Sequence, residues 1–437
     1  MLHTNFIVST LFYWNQPFKQ QPLTQLYLCT IVDEKFQRNG VDIQITDLRG
    51  LNKNKLSSYV HESDVYFYSI ASPDYAEVKL LVEDLRKKYP SAKHIAGGAH
   101  VNIFPQHSSK FFDAIVLKNG EKSIVQVIED IQNNKLKKVY EIDPQYDSEK
   151  YPFPKRNYLP KEKIITRNFM KCMLGVVGTS TLFSHGCPFC CNFCANYNRH
   201  KCIRRTNKEI EAEINYLKKE YDVKGLGMLD EICIPLDEKE AVPYLEMMGN
   251  LNVVWRGQSR IGIKPEILKL AKKAGCLELN IGVESVSRKV IDIMKKGIRL
   301  EGVKKMIKDC KNAEIKIYIN LVNGLPGEPK NIAQMNKDFI EETKPDLVNL
   351  FSLCLYPGSP IYENPEKYGI NPKSINHDYS KLNHLVRRFK GTNDNLEDLI
   401  LFEYYPKGHW GETLTRQEIL NNLNELQDYI ISKGLNK

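Results

Sequence analysis

From residue 177 onward the chain alternates short apolar runs with longer amphipathic ones, and no other feature restricts its fold as strongly. The pattern predicts strands over 177–183, 225–229, 253–256, 277–283, 315–322 and 347–355, with helices over 208–219, 264–274, 288–295, 300–312 and 332–343 between them. Strands joined by crossovers of helix length run parallel, because a tight turn can only reverse the chain. Six such units fall short of the eight that close a barrel, so a partial, open one is expected. In that architecture reacting groups collect where the strands end.

The expected strand ends carry suitable groups. Asp230 and Glu231 follow the second strand, Gln258, Ser259 and Arg260 the third, and Glu284 and Ser285 the fourth. Asn323-Gly324-Leu325-Pro326-Gly327-Glu328 follows the fifth and Tyr356-Pro357-Gly358-Ser359-Pro360 the sixth. Carboxylates accept from hydroxyl and ammonium groups, and an arginine grips a carboxylate with two parallel bonds, so the set suits a zwitterionic nucleoside. Each residue alone reads as a cap or a turn; together, at successive strand ends, they do not.

After the first strand comes Gly186-Cys187-Pro188-Phe189-Cys190-Cys191-Asn192-Phe193-Cys194, in which Cys187, Cys191 and Cys194 stand at C-x3-C-x2-C spacing. Three thiolates so close can wrap one corner of a cubane iron-sulfur cluster and leave one iron open to an outside ligand. A structural zinc site completed by Cys190, His185, His200 or Cys202 competes with this reading. It fits less well, since zinc sites pair one short-spaced couple with a second, distant one. Buried inert thiols are the third reading, opposed by Gly186 and Pro188, which call for a tight loop.

The spacing with Phe193 before the third cysteine resembles the hallmark of the radical SAM superfamily. The resemblance implies a 4Fe-4S cluster ligated by Cys187, Cys191 and Cys194, whose fourth iron is chelated by S-adenosylmethionine; Cys190 has no ligand role in that pattern. Gly282-Val283-Glu284-Ser285, Gly324-Leu325-Pro326-Gly327-Glu328 and Tyr356-Pro357-Gly358-Ser359-Pro360 are similar to later motifs of the same superfamily, in the same order. They extend the likeness over about 177–370 and imply that Phe193, Asp230, Glu231, Gln258, Arg260, Glu284, Asn323 and Gly324 surround the cofactor. Asp230-Glu231 takes the place of the motif that receives the methionine amino group, and Glu284 that of the ribose contact.

Residues 1–140 alternate strand and helix on their own account, which predicts a doubly wound, Rossmann-like α/β domain. No G-x-G-x-x-G follows the first strand, so no dinucleotide is expected. Gly97-Gly98-Ala99-His100 marks a tight turn or a close backbone approach to a ligand. With Pro22-Leu23-Thr24-Gln25-Leu26-Tyr27-Leu28, Asp47-Leu48-Arg49 and Asn119-Gly120-Glu121-Lys122-Ser123, it resembles the cobalamin-binding domain that precedes the radical SAM domain in one subfamily. The resemblance implies cobalamin near Ser69, Ser72, Gly97, Gly98, Gly120 and Glu121. D-x-H-x-x-G is absent, so no histidine is assigned as a lower ligand, and Lys118-Asn119 departs from the pattern before Gly120. A linker over 141–176, the partial barrel over 177–372 and an extension over 373–437, helical over 415–432, complete the expected organisation.

With 437 residues, of which 42% are hydrophobic, the chain can bury a large core. No apolar run nears the roughly 18–20 residues that cross a bilayer, and the N-terminus lacks a signal-type basic region, so a cytoplasmic location is expected. Eleven cysteines then point to reduced thiols and metal ligation. The formal charge of +9 is spread over lysine pairs such as Lys87-Lys88, Lys218-Lys219, Lys272-Lys273, Lys295-Lys296 and Lys304-Lys305, read as solvated faces, and nucleic acid is not the expected partner.

The resemblance implies reductive cleavage of S-adenosylmethionine to a 5′-deoxyadenosyl radical, with electrons from a flavodoxin or ferredoxin, and cobalamin-dependent methyl transfer to an unactivated carbon, or to phosphorus, of a small-molecule substrate. A radical oxidation, cyclisation or rearrangement without methylation is the alternative. A methylthiotransferase would need a second cluster, and Cys29 is the only cysteine in 1–140. A non-catalytic corrinoid or metal sensor would not need a full set of strand-end groups.

Overall fold

The computed structural model describes residues 1–12, 16–37, 39–118, 120–142, 152–167, 171–195, 202–382 and 400–436. Asn119 and His200, singled out above, lie outside them. Two compact units are present: Met1–Phe169 with Val177–Thr181 and Arg204–Val223, and Met170–Val176 with Leu182–Ile203 and Lys224–Lys437.

In the first unit, strands β1 (Leu2–Val8), β2 (Val41–Asp47), β3 (Val65–Ser69), β4 (Lys93–Gly97), β5 (Ala114–Leu117) and β6 (Val139–Glu141) form a parallel sheet in the order β2-β1-β3-β4-β5-β6. Helices are α1 (Leu23–Phe36), α2 (Tyr75–Lys88), the short α3 (Ala99–Ile103) and α4 (Pro105–Phe111), and α5 (Gly120–Gln132). Period-two alternation sends Phe6, Val65, Phe67, Ile95 and Val116 to one face, where they pack with Cys29 and Val32 of α1 and Val127 and Ile128 of α5. Ile7, Tyr66, Tyr68, Ala96 and Ile115 go to the other face, under Val78, Leu81 and Leu85 of α2. The sheet is therefore doubly wound, as expected. Its order reverses between β1 and β3, the switch point outside which such sheets hold ligands.

β6 lies where the sequence pattern places the start of a linker, because three residues are too few to show an alternation. The described part of that segment is packed as well, with Leu159 and Ile164 buried. Thr166–Arg167 (β7) pairs antiparallel with Val177–Thr181 (β8). Helix α6 (Asn207–Tyr221) starts at a capping box, Thr206 with Glu209. From α6, Glu213 is fully buried between two cations: Arg156 donates to one of its oxygens at 2.9 Å and Arg205 to the other.

In the second unit, short strands β9 (Ser184–His185) and β10 (Ile203–Arg204) stand in sequence before and after the cysteine loop. Strands β11 (Gly225–Met228), β12 (Val254–Ser259), β13 (Cys276–Glu284), β14 (Lys316–Asn323) and β15 (Leu347–Ser352) are parallel neighbours in that order. Helices α7 (Glu238–Asn250), α8 (Pro265–Lys273), α9 (Arg288–Ile293), α10 (Leu300–Asn312), α11 (Ile332–Thr343), α12 (Pro360–Glu363) and α13 (Arg416–Ser432) accompany them. With β8, all six expected strands form, giving the partial barrel and its helical tail.

Registers fix two faces in β11 to β15. Leu226 is aligned with Trp255, Met228 lies on the same side of β11, and Leu279, Ile281, Ile317, Ile319, Val348 and Leu350 continue the same face. Helices cover it: Tyr244 of α7 reaches the Met228 sulfur at 3.6 Å, and the Trp255 indole donates to Ala274 O, just past α8, at 2.7 Å. The opposite, inner face carries Arg256, Gln258, Glu278, Asn280, Tyr318, Asn320 and Asn349.

The structure corrects two details of the pattern. Helix α7 was not expected, since Pro243 inside it removes a donor that a helix needs. β12 runs three residues further, so Gln258 belongs to the strand and points from its inner face rather than following its end.

Glu213→Ala should cost about 3–5 kcal/mol, since it leaves Arg156 and Arg205 buried without their counter-charge. Urea unfolding of the wild-type and variant chains checks this.

Candidate functional site

The cysteine loop is pinned by its one asparagine. Asn192 donates from its backbone N to Met294 O at 2.9 Å and from its side chain to Ile293 O at 2.7 Å, and its own carbonyl accepts from Ile361 of α12 at 3.0 Å. Helix α9 ends at Ile293, so these are carbonyls that helix geometry leaves without internal partners. Cys191 is buried, while Cys187, Cys190 and Cys194 are half-buried. A turn closes from Cys194 N to Cys191 O at 3.2 Å. Burial pushes the Cys187 thiol up, with the Glu231 and Cys191 charges adding to it; the Phe189 backbone N–H and Arg260 act against this.

Two cations overhang the loop. The Arg260 guanidinium lies 3.4 Å from the centre of the Phe189 ring, and the Lys296 ammonium 5.7 Å from that of Phe193. Arg260 also donates to Lys296 O. Lys296 donates to Glu284 Oε1 at 2.7 Å, with both side chains nearly buried. Reading Lys295-Lys296 as a solvated face was therefore wrong for Lys296: α9 stops two residues earlier than expected and turns Lys296 inward. Lys295, with φ of 50°, takes the left-handed position past the helix cap that usually falls to glycine, so the sequence carried no signal for that helix end.

Glu284 ends β13 in the left-handed region, with φ of 66°, beside a register shift between Gly282 and Glu284. Its carboxylate folds back over Gly282. A Cβ at Gly282 would lie 2.1 Å from Glu284 Oε1 and 2.7 Å from Lys296 Nζ, so only glycine leaves room for the pair. The neighbouring acids divide their work. Asp230 is fully buried and accepts from Phe183 N at 3.2 Å and Ser184 Oγ at 2.6 Å, which holds the entry to the cysteine loop. Glu231 is exposed, but desolvation by the chain around it, with the Asp230 charge, raises its carboxyl above the ordinary range, and Lys296 lowers it. Gln258 is exposed on the inner face.

Asn323 and Gly324 meet the C-terminal segment. The Asn323 amide donates to Ile419 O of α13 at 2.8 Å, and its Oδ1 is buried with no partner among the described residues. Gly324 N donates to Glu328 Oε2 at 2.8 Å, and the Tyr404 hydroxyl donates to Gly324 O at 2.7 Å. Burial pushes the Glu328 carboxyl up to about 8, against backbone N–H bonds from Gly324 and Leu325. Tyr404 had no signal in the sequence, since it lies in an irregular stretch.

In the first unit, Ser69, Ser72, Gly97 and Gly98 stand together at the ends of β3 and β4. Gly98 has φ of 96°, and a Cβ there would meet Ile70 N at 2.6 Å. Its demand for glycine is thus met within the fold by a tight turn, and the alternative of a close approach to a ligand is not needed to explain it. Ser72 Oγ lies 3.2 Å from His100 Nδ1, and Tyr75 stacks on the His100 ring. Gly120 and Glu121 open α5, where Glu121 Oε2 and Ser123 Oγ are buried without partners among the described residues.

Residues 181–339 match the family described as the radical SAM superfamily. The chain carries a radical SAM domain. Its relatives include the bacteriochlorophyllide d C-8(2)-methyltransferase of Chlorobaculum tepidum, 24% identical over 78% of this chain and 75% of that one. Another is the anaerobic magnesium-protoporphyrin IX monomethyl ester cyclase of Cereibacter sphaeroides, 23% identical over 79% of this chain and 56% of that one. In fold the chain is similar to the methyltransferase TsrM from Kitasatospora setae, solved with cobalamin and a 4Fe-4S cluster, with a TM-score of 0.67 and 13% identity over 84% of this chain and 76% of that one. A radical SAM domain belongs to an enzyme that works with a 4Fe-4S cluster and S-adenosylmethionine. The loop fits the cluster: three thiols share one pinned turn, a backbone N–H faces the Cys187 sulfur, and two cations stand where thiolate charge would build. Among the described residues no three His, Cys, Asp or Glu side chains converge as a single metal ion demands. Among the described residues no helix is long and apolar enough to cross a membrane.

Glu328 gives the radical SAM domain a pH signature. Its folded value of about 8 lies above the ordinary 4.5, so the folded chain holds a proton that the unfolded chain releases. The stability it contributes is complete below the ordinary value and is lost as pH rises through about 8. Glu328→Gln should flatten that decline, measured as melting temperature against pH from about 5 to 9.

Proposed function

We propose that this enzyme is a cobalamin-dependent radical SAM methyltransferase acting on an unactivated carbon, or on phosphorus, of a small molecule. The observation that carries the reading is the cysteine loop pinned to the end of α9 beside Glu284, Lys296, Arg260 and Glu231. Cys187, Cys191 and Cys194 would hold the cluster, with Phe193 packed beside it. Once bound, the cluster and S-adenosylmethionine supply the reductive cleavage that starts the reaction, and cobalamin carries the methyl group.

The chain's own groups bind and orient. Glu231 is better placed than Asp230 to meet an ammonium group, because Asp230 is committed to Phe183 and Ser184. Arg260 suits a carboxylate, Glu284 a pair of ribose hydroxyls, and Gln258 an adenosine edge. Asn323 and Gly324 would act through the wall they form with the C-terminal segment. Residues 1–140 are read as the cobalamin domain, 141–176 as the linker, 177–372 as the radical SAM barrel and 373–437 as the extension. Ser69, Ser72, Gly97, Gly98, Gly120 and Glu121 line the ends of β3, β4 and β5, near the switch point where such a domain holds a ligand. The partnerless Glu121 Oε2 and Ser123 Oγ fit the amide donors that fringe a corrin ring. Electrons would come from a flavodoxin or ferredoxin.

Reconstituted protein given S-adenosylmethionine and dithionite should release 5′-deoxyadenosine. With substrate it should also release S-adenosylhomocysteine, whose absence would exclude methylation. Cys187→Ala, Cys191→Ala and Cys194→Ala should each lose iron and cleavage, and Cys190→Ala should keep both. Purification after growth with cobalamin should yield a corrinoid absorption spectrum. Gly282→Ala should displace Glu284 from Lys296 and weaken S-adenosylmethionine binding about tenfold or more, since hydrogen bonds to charged groups are worth about 1.5–3 kcal/mol. Iron content should not change, and equilibrium dialysis checks the affinity.

A further inference from the structure

The inner face of β12 to β15 is polar where a barrel of this kind is expected to be filled by branched aliphatic side chains. Register places Arg256 and Glu278 at one level of the sheet, Gln258, Asn280 and Tyr318 at the next, and Asn320 and Asn349 at the level nearer the strand ends. The lower level is closed on itself. Arg256 Nε donates to Glu278 Oε1 at 2.6 Å, and the Tyr318 hydroxyl, from the next level, is hydrogen-bonded to the same carboxylate, so the cation is neutralised and the acid satisfied.

The upper level is not closed. Asn349 Nδ2 donates to Asn320 Oδ1 at 2.8 Å, which leaves a row of carboxamides running across two strands. Asn280, on the next strand and one level lower, opposite Tyr318, is 8% exposed, and its Oδ1 is buried without a partner among the described residues. Asn320, Val322 and Phe351 on the same face are half-buried and Gln258 is exposed, so this end of the face is open rather than packed. A buried acceptor without a partner costs free energy that only a donor from outside can recover.

We infer that Asn280, Asn320 and Asn349 form the recognition face for the substrate, and that the substrate presents a neutral amide-type edge, an N–H donor beside a carbonyl acceptor. Carboxamides offer both functions side by side, and an amide edge returns both. A carboxylate substrate would need a cation, and Arg256 on this face is already matched by Glu278, while Lys316 lies at the end of β14 away from the carboxamides. An apolar macrocycle would cover the row and leave its donors and acceptors unpaired, a mismatch that polar sites reject strongly. This inference rests on reading the strand ends as the reaction site.

The test is equilibrium dialysis of the full-length chain, loaded with cluster and S-adenosylmethionine, against two probes: the cyclic dipeptide of glycine, which carries two amide edges and no side chain, and zinc protoporphyrin IX. The cyclic dipeptide should bind saturably, and Asn320→Leu and Asn349→Leu should each raise its Kd about tenfold or more. Asn349→Asp keeps the shape but removes the donor to Asn320, and should weaken binding in the same direction. Iron content and 5′-deoxyadenosine formation without substrate should stay at wild-type levels, which separates lost recognition from lost folding. The inference is overturned if the dipeptide shows no saturable binding at millimolar concentration, if no variant moves its Kd, or if the porphyrin binds and the leucine variants tighten it. Failure of the methyltransferase reading would appear instead as missing S-adenosylhomocysteine, with dipeptide binding intact.

Discussion

Carbonyl groups stranded at the C-terminal end of α9 hold the reactive part of the molecule in place. A helix of six residues has little internal bonding, and its last carbonyls must find donors elsewhere. Ile293 O and Met294 O take both donors of Asn192, so the end of a barrel helix and the middle of the cysteine loop satisfy each other. Lys296 extends the same corner, with its carbonyl toward Arg260 and its ammonium toward Glu284 and the Phe193 ring. A loop that must present three thiols in fixed directions is thereby fastened to the barrel by backbone geometry, which a sequence can vary only by moving the helix end.

The same corner concentrates strain. Glu284 sits at positive φ without being a glycine, in a strand whose register slips by one residue next to it. Such a conformation persists only where its surroundings impose it. Here Lys296 draws the carboxylate back, and Gly282 gives it space. The pair is poised on the inner side of the strand end, with one acid oxygen committed to the ammonium. Asp230, two strands away, is fixed in the opposite sense: its charge is spent on the backbone of Phe183, and Glu231 inherits the freedom to meet a ligand.

Much of this was legible in the sequence because it is periodic. Alternation of apolar residues identified six strands and most helices, since each strand is covered on one face by helices and repeats that demand along the chain. Cysteine spacing located the loop, since chelation needs ligands close together. Less legible was whatever depends on contacts far apart in sequence. Lys296 looked like a surface lysine because nothing local shows that α9 ends at Ile293 and turns it inward. Tyr404 and Ile419 meet the β14 loop across about eighty to a hundred residues of chain. Helix α7 was hidden by Pro243, and β6 by its brevity. In the first unit, Gly98 could be read as a ligand cradle from its sequence, whereas the structure spends it on the crossing against Ile70.

The two faces of the second unit's sheet explain how it can be stable and still open. Its outer face is almost entirely aliphatic and aromatic, with Leu279, Ile281, Ile317, Ile319 and Trp255 each fully buried beneath the helices. That layer can supply the hydrophobic stabilisation by itself. The inner face is released from packing and can carry arginine, glutamate and asparagine, provided each finds a partner. At the lower level partners come from within the sheet, through Arg256, Glu278 and Tyr318. Nearer the strand ends they do so only in part: Asn349 donates to Asn320, whereas Asn280 keeps an unanswered acceptor. The boundary between the two levels is where the fold stops satisfying itself and begins to require a ligand.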